Sequence, residues 1–295
     1  MSVSLERKIP WWPSAIVLVA LAGIGATILA YMAPERRPVA AASPTPAAPE
    51  GVAKDGKIHV PLFVDPGLVR PTPRFRFTFD PPEALALLRQ EEKFDEVIAG
   101  AATDLERGIR LMHWTRAQWE PGVPNPYPPL DARVILRDIR RGFTSGFCAQ
   151  YNYVLAQALQ SLGIPARYVS LVEHEVIEMR PGELARWVCL DPLYDAWYRD
   201  ETGRPLPVSE IHKRVREGAA VSASEGNRLT DPKTQLSVFR SFAVWLKNDH
   251  ITSPVNFADL ERYKVYFLDE PAAAAHLPQG ALTTTVLQDL YPDQP

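Results

Sequence analysis

The first half of the chain carries hydrophobic positions at helical spacing. The stretch PPEALALLRQEEKF opens on Pro81 and Pro82, and proline is tolerated in the first turn of a helix. In the next stretch, DEVIAGAATDLERGIRLMHWTRAQW, the apolar stripe consists of Val97, Ala101, Leu105, Ile109 and Met112. This spacing predicts two amphipathic helices, at residues 81–94 and 95–119.

Two further helices have recognisable ends. Asp131 precedes ARVILRDIRRG and can accept hydrogen bonds from the first free backbone N–H groups, and Gly142 can end that helix. The other helix is predicted at residues 147–162, because Gly163 and Pro165 follow it. Its buried stripe is predicted to consist of Tyr151, Leu155, Ala158, Leu159 and Leu162.

Shorter stretches have the patterns of β-strands. RFRFTF, at residues 74–79, alternates charged or polar residues with phenylalanine, as a half-exposed strand does. Further strands are predicted for residues 57–64, ARYVSLV, HEVIEMR, RWVCLDPLY, DAWYRDE and YKVYFL. Helices are predicted at residues 207–217 and in SVFRSFAVWLK. Helices followed by neighbouring antiparallel strands predict an α+β domain, in which the 147–162 helix packs on the sheet.

The most apolar segment lies near the N-terminus. Residues 15–32, AIVLVALAGIGATILAYM, carry no charge, and as a helix they would span about 27 Å, close to the bilayer hydrocarbon thickness of about 30 Å. Trp11 and Trp12 precede the span and Tyr31 closes it, as interfacial aromatic residues do. We expect an uncleaved transmembrane anchor. The alternatives are a buried core helix and a cleaved signal peptide, for which VAAAS at residues 39–43 is the better cleavage site.

The segments around this span define the expected organisation. Residues 1–14 precede it, and residues 33–51 form a Pro/Ala-rich tether that cannot bury apolar surface. Residues 52–295 form the domain, with its motifs at 142–198 and a C-terminal extension at 200–295. Similar numbers of basic residues lie before and after the span, so the positive-inside rule does not decide its orientation. From the N-terminal position of the span, we expect a single-pass membrane protein whose domain lies outside the cytoplasmic face.

Composition and charge narrow the class of function. The chain has 295 residues, a formal net charge of −3 and 46% hydrophobic residues, which is ordinary for a globular protein. No segment of the chain is strongly basic, so nucleic acid is not an expected partner. The two cysteines, Cys148 and Cys189, make neither a disulfide scaffold nor a CxxC motif.

One of these cysteines stands at the predicted start of a helix. There Cys148 lies at the positive end of the helix dipole, which favours a thiolate. A cysteine hydrolase or acyltransferase also needs a histidine to shuttle the proton and a carboxylate to orient that histidine. His174 begins one predicted strand and Asp191 lies at the end of VCLD in the next. Cys148, His174 and Asp191 are therefore the candidate catalytic residues.

These segments resemble the transglutaminase-like superfamily. The resemblance rests on SGFCAQYNYVLAQALQSLGIPARYV, HEVIE and RWVCLDPLY, which present in order a Gly-x-Cys before a helix, a turn into a strand, a histidine strand and an Asp-Pro strand end. It implies a papain-like fold of the bacterial, membrane-anchored type. It also implies Cys148 as nucleophile, His174 as base and Asp191 as the orienting residue, and Glu178 matches a glutamate common in the histidine strand.

The chemistry implied by this resemblance is acyl transfer through a thioester. The substrate would be a peptide or protein amide, and water or an amine would resolve the thioester. The backbone N–H of Cys148 would form part of the oxyanion hole. Trp114, Gln118 and Trp119 are candidates for its second donor by position. The sequence shows no calcium-site motif, so we expect no cofactor, and the resemblance accounts for Cys148, His174 and Asp191 without a metal.

Other interpretations of the same residues stay open at this point. A catalytically inactive domain of this type would serve as a binding module for a peptide or protein partner. Alternatively, Cys148, His174, Cys189 and Asp191 could form a tetrahedral zinc site. A reversible disulfide between Cys148 and Cys189 could also silence the enzyme in an oxidising compartment.

Overall fold

A computed structural model describes residues 74–269 and 277–292 of the chain. The predicted anchor at 15–32, the tether at 33–51 and the strand at 57–64 lie outside the described residues. Within the described part, no helix combines the length and the apolar character needed to cross a bilayer.

Most helices precede the main sheet in the chain. Their bounds are α1 Ala86–Glu91, α2 Phe94–Val97, α3 Asp104–Arg116, α4 Ala132–Arg140, α5 Cys148–Ser161, α6 Val208–Glu217, α7 Pro232–Leu236 and α8 Leu287–Leu290. Shorter 3₁₀ helices span Pro82–Leu85, Ser237–Arg240 and Phe257–Tyr263. Both α3 and α4 pack against α5, which therefore lies at the centre of the helical part.

The predicted helix at residues 81–94 is wrong as a single element. It consists of a 3₁₀ turn followed by α1, and α2 begins only at Phe94. The break lies at Lys93, whose backbone has a φ of 54°. A left-handed residue cannot continue a right-handed helix, so the apolar spacing is overridden locally.

The predicted helix at residues 95–119 is also too long. Its main part, α3, begins at Asp104. Gly100 has a φ of 80°, which ends the preceding turn. The Thr103 hydroxyl then accepts a hydrogen bond from the backbone N–H of Glu106 at 3.2 Å, so it caps the new helix.

Helix α4 has the ends that the sequence predicts. The Asp131 carboxylate accepts a hydrogen bond from the N–H of Arg133 at 2.8 Å. Gly142, with a φ of 71°, follows the last turn. Gly163 has a φ of 77° in the corresponding place after α5. Both glycines thus supply the left-handed conformation that commonly follows a helix.

Helix α5 is buried along its whole length. Tyr151, Leu155, Ala158 and Leu159 of the predicted stripe are buried, but so are all 14 residues of the helix, and Leu162 lies beyond its end and is partly exposed. Helices α3 and α4 cover one side of it, and strands of the main sheet cover another. Gln157 makes internal hydrogen bonds: its side chain accepts from the N–H of Ala132 at 2.9 Å and donates to the carbonyl of Leu130 at 2.8 Å.

The strands form one large sheet and one small one within the described residues. Their bounds are β1 Thr78–Phe79, β2 Ala166–Leu171, β3 Glu175–Met179, β4 Val188–Asp191, β5 Ala196–Arg199, β6 Ser222–Ala223, β7 Phe242–Trp245, β8 Lys247–Asn248, β9 Lys264–Phe267 and β10 Leu282–Thr284. The main sheet has the order β10-β9-β7-β2-β3-β4-β5-β6, with antiparallel pairs except for β10 and β9. A short parallel pair joins β1 to β8. This mostly antiparallel sheet beside helices confirms the α+β prediction.

The predicted helix in SVFRSFAVWLK is wrong. The segment forms a 3₁₀ turn and then β7, which lies between β2 and β9 in the main sheet. All four residues of β7 are buried. A short apolar run that is buried on both faces has no strand alternation, so its sequence does not distinguish a strand from a helix.

The main sheet separates two hydrophobic cores. Ile177, Met179 and Leu190 belong to the core that contains α5. Their neighbours Val176 and Cys189 belong to the other core. Successive side chains of a strand point to opposite faces, so α5 covers only one face of the sheet. The C-terminal extension contributes to the other face through Val208, Ile211, Phe239, Leu290 and Tyr291.

A buried ion pair ties the C-terminal extension to the motif strands. Arg167 of β2 donates to the Glu178 carboxylate of β3 at 2.9 and 2.7 Å, and neither side chain is exposed. Glu178 also accepts from the N–H of Val208 at 2.7 Å and from the Tyr291 hydroxyl at 2.9 Å. Arg167 donates to the carbonyl of Leu290 at 2.7 Å. The pair thus holds the start of α6 and the end of α8 on the sheet.

Stability is expected to depend on pH through His250. This imidazole is 4% exposed, and neither ring nitrogen has a partner among the described residues. Burial, followed by the charge of Lys247, lowers its pKa to about 4. Because the unfolded chain binds this proton near pH 6.5 and the folded chain only near pH 4, the wild type should lose up to about 3 kcal/mol between pH 7 and pH 4. The free energy of unfolding of His250→Phe, measured with denaturant, should not show this part of the decrease between about pH 7 and pH 4.

His113 offers a matched control of the opposite sign. Its hydrogen bond with Asp195, at 2.6 Å, raises the pKa of this half-exposed imidazole. The stabilisation is present at low pH and is lost as the pH rises through the raised pKa. His113→Gln should therefore be destabilised relative to the wild type at low pH and converge with it at high pH. A parallel loss in the wild type and His250→Phe would contradict the role given to His250.

Candidate active site

Cys148 is the first residue of α5, and the loop before it is held tightly. The carbonyl of Gly146 accepts from the indole Nε1 of Trp119 at 3.1 Å and from the N–H of Gly122 at 2.9 Å. A Cβ atom on Gly146 would lie 2.8 Å from Cβ of Gln150 and 3.0 Å from the Trp119 Nε1 atom. Only glycine fits there, which explains physically why Gly-x-Cys begins this helix.

His174 and Asp191 meet at the ends of neighbouring strands. His174 directly precedes β3, Asp191 ends β4, and the His174 Nε2 and Asp191 Oδ2 atoms are 2.8 Å apart. The Tyr198 hydroxyl donates to the same carboxylate oxygen at 3.2 Å. The N–H of Tyr194 donates to the other oxygen at 3.3 Å, and its ring lies 5.4 Å from the imidazole. These contacts hold the carboxylate, which in turn orients the ring.

The electrostatics favour a protonated imidazole at this position. Burial alone would lower the pKa of His174, but the charge of Asp191 and its hydrogen bond raise it, and the Cys148 sulfur adds to the increase. The net effect raises the pKa of His174 well above its usual value. An ionised carboxylate can only accept, so Nε2 carries a proton and Nδ1 is the nitrogen left for the Cys148 side. The structure therefore brings Cys148, His174 and Asp191 together.

The structure gives each of the three candidates for the second oxyanion donor other contacts. The Trp114 ring packs edge-on against Phe94, with ring centroids 5.0 Å apart. The Gln118 amide donates to the carbonyl of Trp114 at 2.9 Å and accepts from Arg140 at 2.6 Å. The Trp119 indole N–H is used by the loop before Cys148, and its ring stacks on that of Tyr151 at 4.1 Å. Trp119 thus positions this loop.

Glu178 does not join the candidate triad. Its carboxylate binds Arg167, Val208 and Tyr291, as described above, on the face of the sheet away from α5. Glu178 therefore has a structural role as the partner of Arg167, because a buried charge without a partner would destabilise the fold.

The structure bears on two of the alternatives. Both cysteines are free, and Cys189 lies in the second core. The reversible disulfide between Cys148 and Cys189 is therefore not formed here and stays a hypothesis. Within residues 74–269 and 277–292, no group of three or more histidine, cysteine or acidic side chains could hold a metal ion, so the proposed zinc site does not form.

Sequence reasoning missed two groups near Cys148. Gln150 accepts at Oε1 from the N–H of Phe147 at 3.1 Å, and its side chain is wholly buried. A glutamine at the third position of a helix is a known capping signal and could have identified this contact. Tyr127 lies 6.4 Å, ring to ring, from Phe147. Its place in a proline-rich loop gives no such signal.

A comparison with known families agrees with the resemblance seen in the sequence. Residues 92–198 match the family model of the transglutaminase-like superfamily. The match contains Cys148, His174 and Asp191, and it extends the resemblance on the N-terminal side to α3 and α4. No curated protein and no solved structure matches the chain.

Gly146→Ala tests the packing of the loop before the nucleophile. The added methyl group would collide with Gln150 and Trp119, so the free energy of unfolding should fall by about 1–3 kcal/mol. The start of α5 should shift, and alkylation of Cys148 by iodoacetamide should slow. Ser145→Ala, one residue earlier, should change neither quantity. Wild-type stability and alkylation in Gly146→Ala would show that the loop adapts freely.

Proposed function

We propose that this chain, of which residues 92–198 belong to the transglutaminase-like superfamily, is a cysteine-dependent acyl-transfer enzyme. Its substrates would be peptide or protein amides, and it would act through a thioester on Cys148. The observation that carries the proposal is the 2.8 Å contact of His174 with Asp191, beside a cysteine at the start of a buried helix. These are the three groups that the chemistry requires.

In the proposed reaction, the Cys148 thiolate attacks the amide carbonyl carbon and forms a C–S bond. The carbonyl electron pair moves to oxygen, and the N–H of Cys148 donates to the resulting oxyanion. The intermediate collapses, the C–N bond breaks, and the imidazolium of His174 donates its proton to the leaving amine. Asp191 keeps the ring oriented throughout. Water or a second amine then attacks the thioester carbonyl carbon and loses a proton to His174, which acts as general base. The C–S bond breaks, which releases the acid or the new amide and restores the Cys148 thiolate beside the imidazolium.

The raised pKa of His174 supports this division of roles. An imidazolium that persists to higher pH can pair with a thiolate over a wider range. The Tyr198 hydroxyl and the Tyr194 N–H donate to the Asp191 carboxylate and hold it in place against His174. Cys189 does not compete, because burial and then the charges of Glu178 and Asp191 raise the pKa of its thiol well above the usual value.

The pH dependence of iodoacetamide alkylation tests the proposal without a known substrate. At about pH 6 an ordinary thiol is almost entirely protonated, so the wild type should react on the order of a hundredfold faster than His174→Ala. Asp191→Asn should be slower than the wild type but faster than His174→Ala. The rate is measured by mass spectrometry of the peptide that contains Cys148.

Two results decide the outcome of this test. Cys148→Ser should remove the fast label entirely, which excludes a contribution from Cys189. An ordinary thiol profile that His174→Ala leaves unchanged would contradict the proposed enzyme. It would favour the alternative of a binding module for a peptide or protein partner.

We also propose that residues 15–32 anchor the enzyme in a membrane as a single pass. The 18-residue apolar span and the tether at 33–51 support this, and the domain would lie outside the cytoplasmic face. Its substrates would then be proteins or peptides near that surface.

Deletion of residues 1–51 tests the anchor. The full chain should sediment with membranes and stay there in alkaline carbonate, whereas the deletion variant should be soluble. In spheroplasts of a bacterial host, added protease should cleave the domain while a cytoplasmic marker stays intact. An intact mass that lacks the N-terminal segment would identify it as a cleaved signal peptide, and a protected domain would reverse the orientation.

A further inference from the structure

Gln150 carries a buried polar group that no contact of the fold uses. It is the third residue of α5, two positions after Cys148, and its side chain is 0% exposed. Its amide nitrogen, Nε2, has no hydrogen-bond partner among the described residues. A buried donor left unpaired costs about 1–3 kcal/mol, so such a group calls for an explanation.

The orientation of this amide is fixed by its other end. Oε1 lies 3.1 Å from the backbone N of Phe147, which can only donate. The oxygen must therefore face Phe147, and Nε2 is the opposite end of the same planar group. Gly146 allows this arrangement, because a Cβ atom at position 146 would lie only 2.8 Å from Cβ of Gln150. The loop before the nucleophile thus makes room for the Gln150 side chain.

Tyr127 lies close to both the Gln150 side chain and Cys148. Burial raises the pKa of the Tyr127 hydroxyl, the charges of Glu175 and Cys148 add to this, and the polar side chain of Gln150 opposes it. The ring of Tyr127 packs 4.7 Å from that of Phe257, and both residues remain partly exposed. The Gln150 side chain and Cys148 therefore lie beside the same partly exposed residue.

We propose that the Nε2 amide of Gln150 is the second hydrogen-bond donor to the acyl oxygen, beside the backbone N–H of Cys148. This proposal rests on the proposed function and replaces Trp114, Gln118 and Trp119 in that role. Gln150 projects from the same helical turn as the nucleophile, and its amide is oriented before any substrate arrives. Preorganised donors of this kind are effective because they need no reorganisation during the reaction.

An activated ester isolates the step in which this donor acts. When Cys148 attacks p-nitrophenyl acetate, the C–S bond forms and the carbonyl electron pair moves to oxygen. The oxyanion accepts hydrogen bonds from Cys148 N–H and from Gln150 Nε2. Collapse restores the carbonyl and expels p-nitrophenolate, which leaves acetyl-Cys148. Iodoacetamide instead loses iodide by direct displacement at carbon, and no oxyanion forms.

The experiment compares these two reagents on the full chain. Gln150→Met removes both ends of the amide at similar length. Gln150→Glu keeps the oxygen that accepts from Phe147, and as a carboxylate it cannot donate. Acetylation of Cys148 should slow in both variants on the order of a hundredfold at pH 8, as for the loss of one oxyanion donor. Iodoacetamide alkylation should stay close to the wild-type rate, and thermal unfolding should show that both variants fold.

Gln118→Met is the matched control. The Gln118 amide donates to the carbonyl of Trp114 and accepts from Arg140, so both of its ends are occupied, and acetylation should remain at the wild-type rate. A defect equal to that of Gln150→Met would overturn the proposal, because the effect would then not depend on the position of the amide. Equal slowing of acetylation and alkylation in the Gln150 variants would also overturn it, since that result indicates a displaced nucleophile.

His174→Ala distinguishes failure of this proposal from failure of the proposed function. If His174→Ala slows both reagents while Gln150→Met acetylates at the wild-type rate, only the role of Gln150 is wrong. If His174→Ala leaves both rates unchanged, the proposed enzyme is wrong, and the role of Gln150 with it.

Discussion

The complete burial of α5 is the constraint on which the rest of the domain depends. Helices α3 and α4 and the sheet pack around it, and all 14 of its residues are buried, with the largest exposed fractions at its N-terminal end. That end presents the positive pole of the helix dipole and the free N–H groups of the first turn. Cys148 stands there at 8% exposure. Enclosing the helix thus leaves its first turn as the place for chemistry.

On the opposite face of the sheet, a buried ion pair fixes the positions of the neighbouring elements. Arg167 lies 4.0 Å from the Trp187 ring and 4.5 Å from that of Tyr291, and it binds Glu178 with no exposure to solvent. Such a pair adds little net stability over an apolar core, but the loss of one partner costs about 3–5 kcal/mol. Its value here is in fixing positions. Glu178 shares β3 with the strand end that carries His174, so the C-terminal extension and the imidazole are anchored to the same strand.

Much of this organisation could be predicted from the sequence, wherever a local signal has one physical meaning. Asp131, Gly142 and Gly163 define helix ends through caps and left-handed turns, and the structure has those ends. Cys148, His174 and Asp191 were predicted to converge, because strands and helices of known order leave few arrangements. The errors came where tertiary packing decides the outcome. The run FAVW became β7 because β2 and β9 pair with its two edges and the two hydrophobic cores bury its two faces, and that burial is not local information.

The same reasoning explains why the groups around the nucleophile were harder to predict than the nucleophile itself. Trp114 and Gln118 precede Cys148 in the chain, but Trp114 in α3 packs against Phe94, and Gln118, just after α3, binds Arg140. Gln150 is close to Cys148 for a different reason: both project from the first turn of one helix. A contact within a helical turn survives any rearrangement of loops, whereas a contact between loops depends on every element that holds them. The donor next to a helix-borne nucleophile is therefore best sought on that helix first.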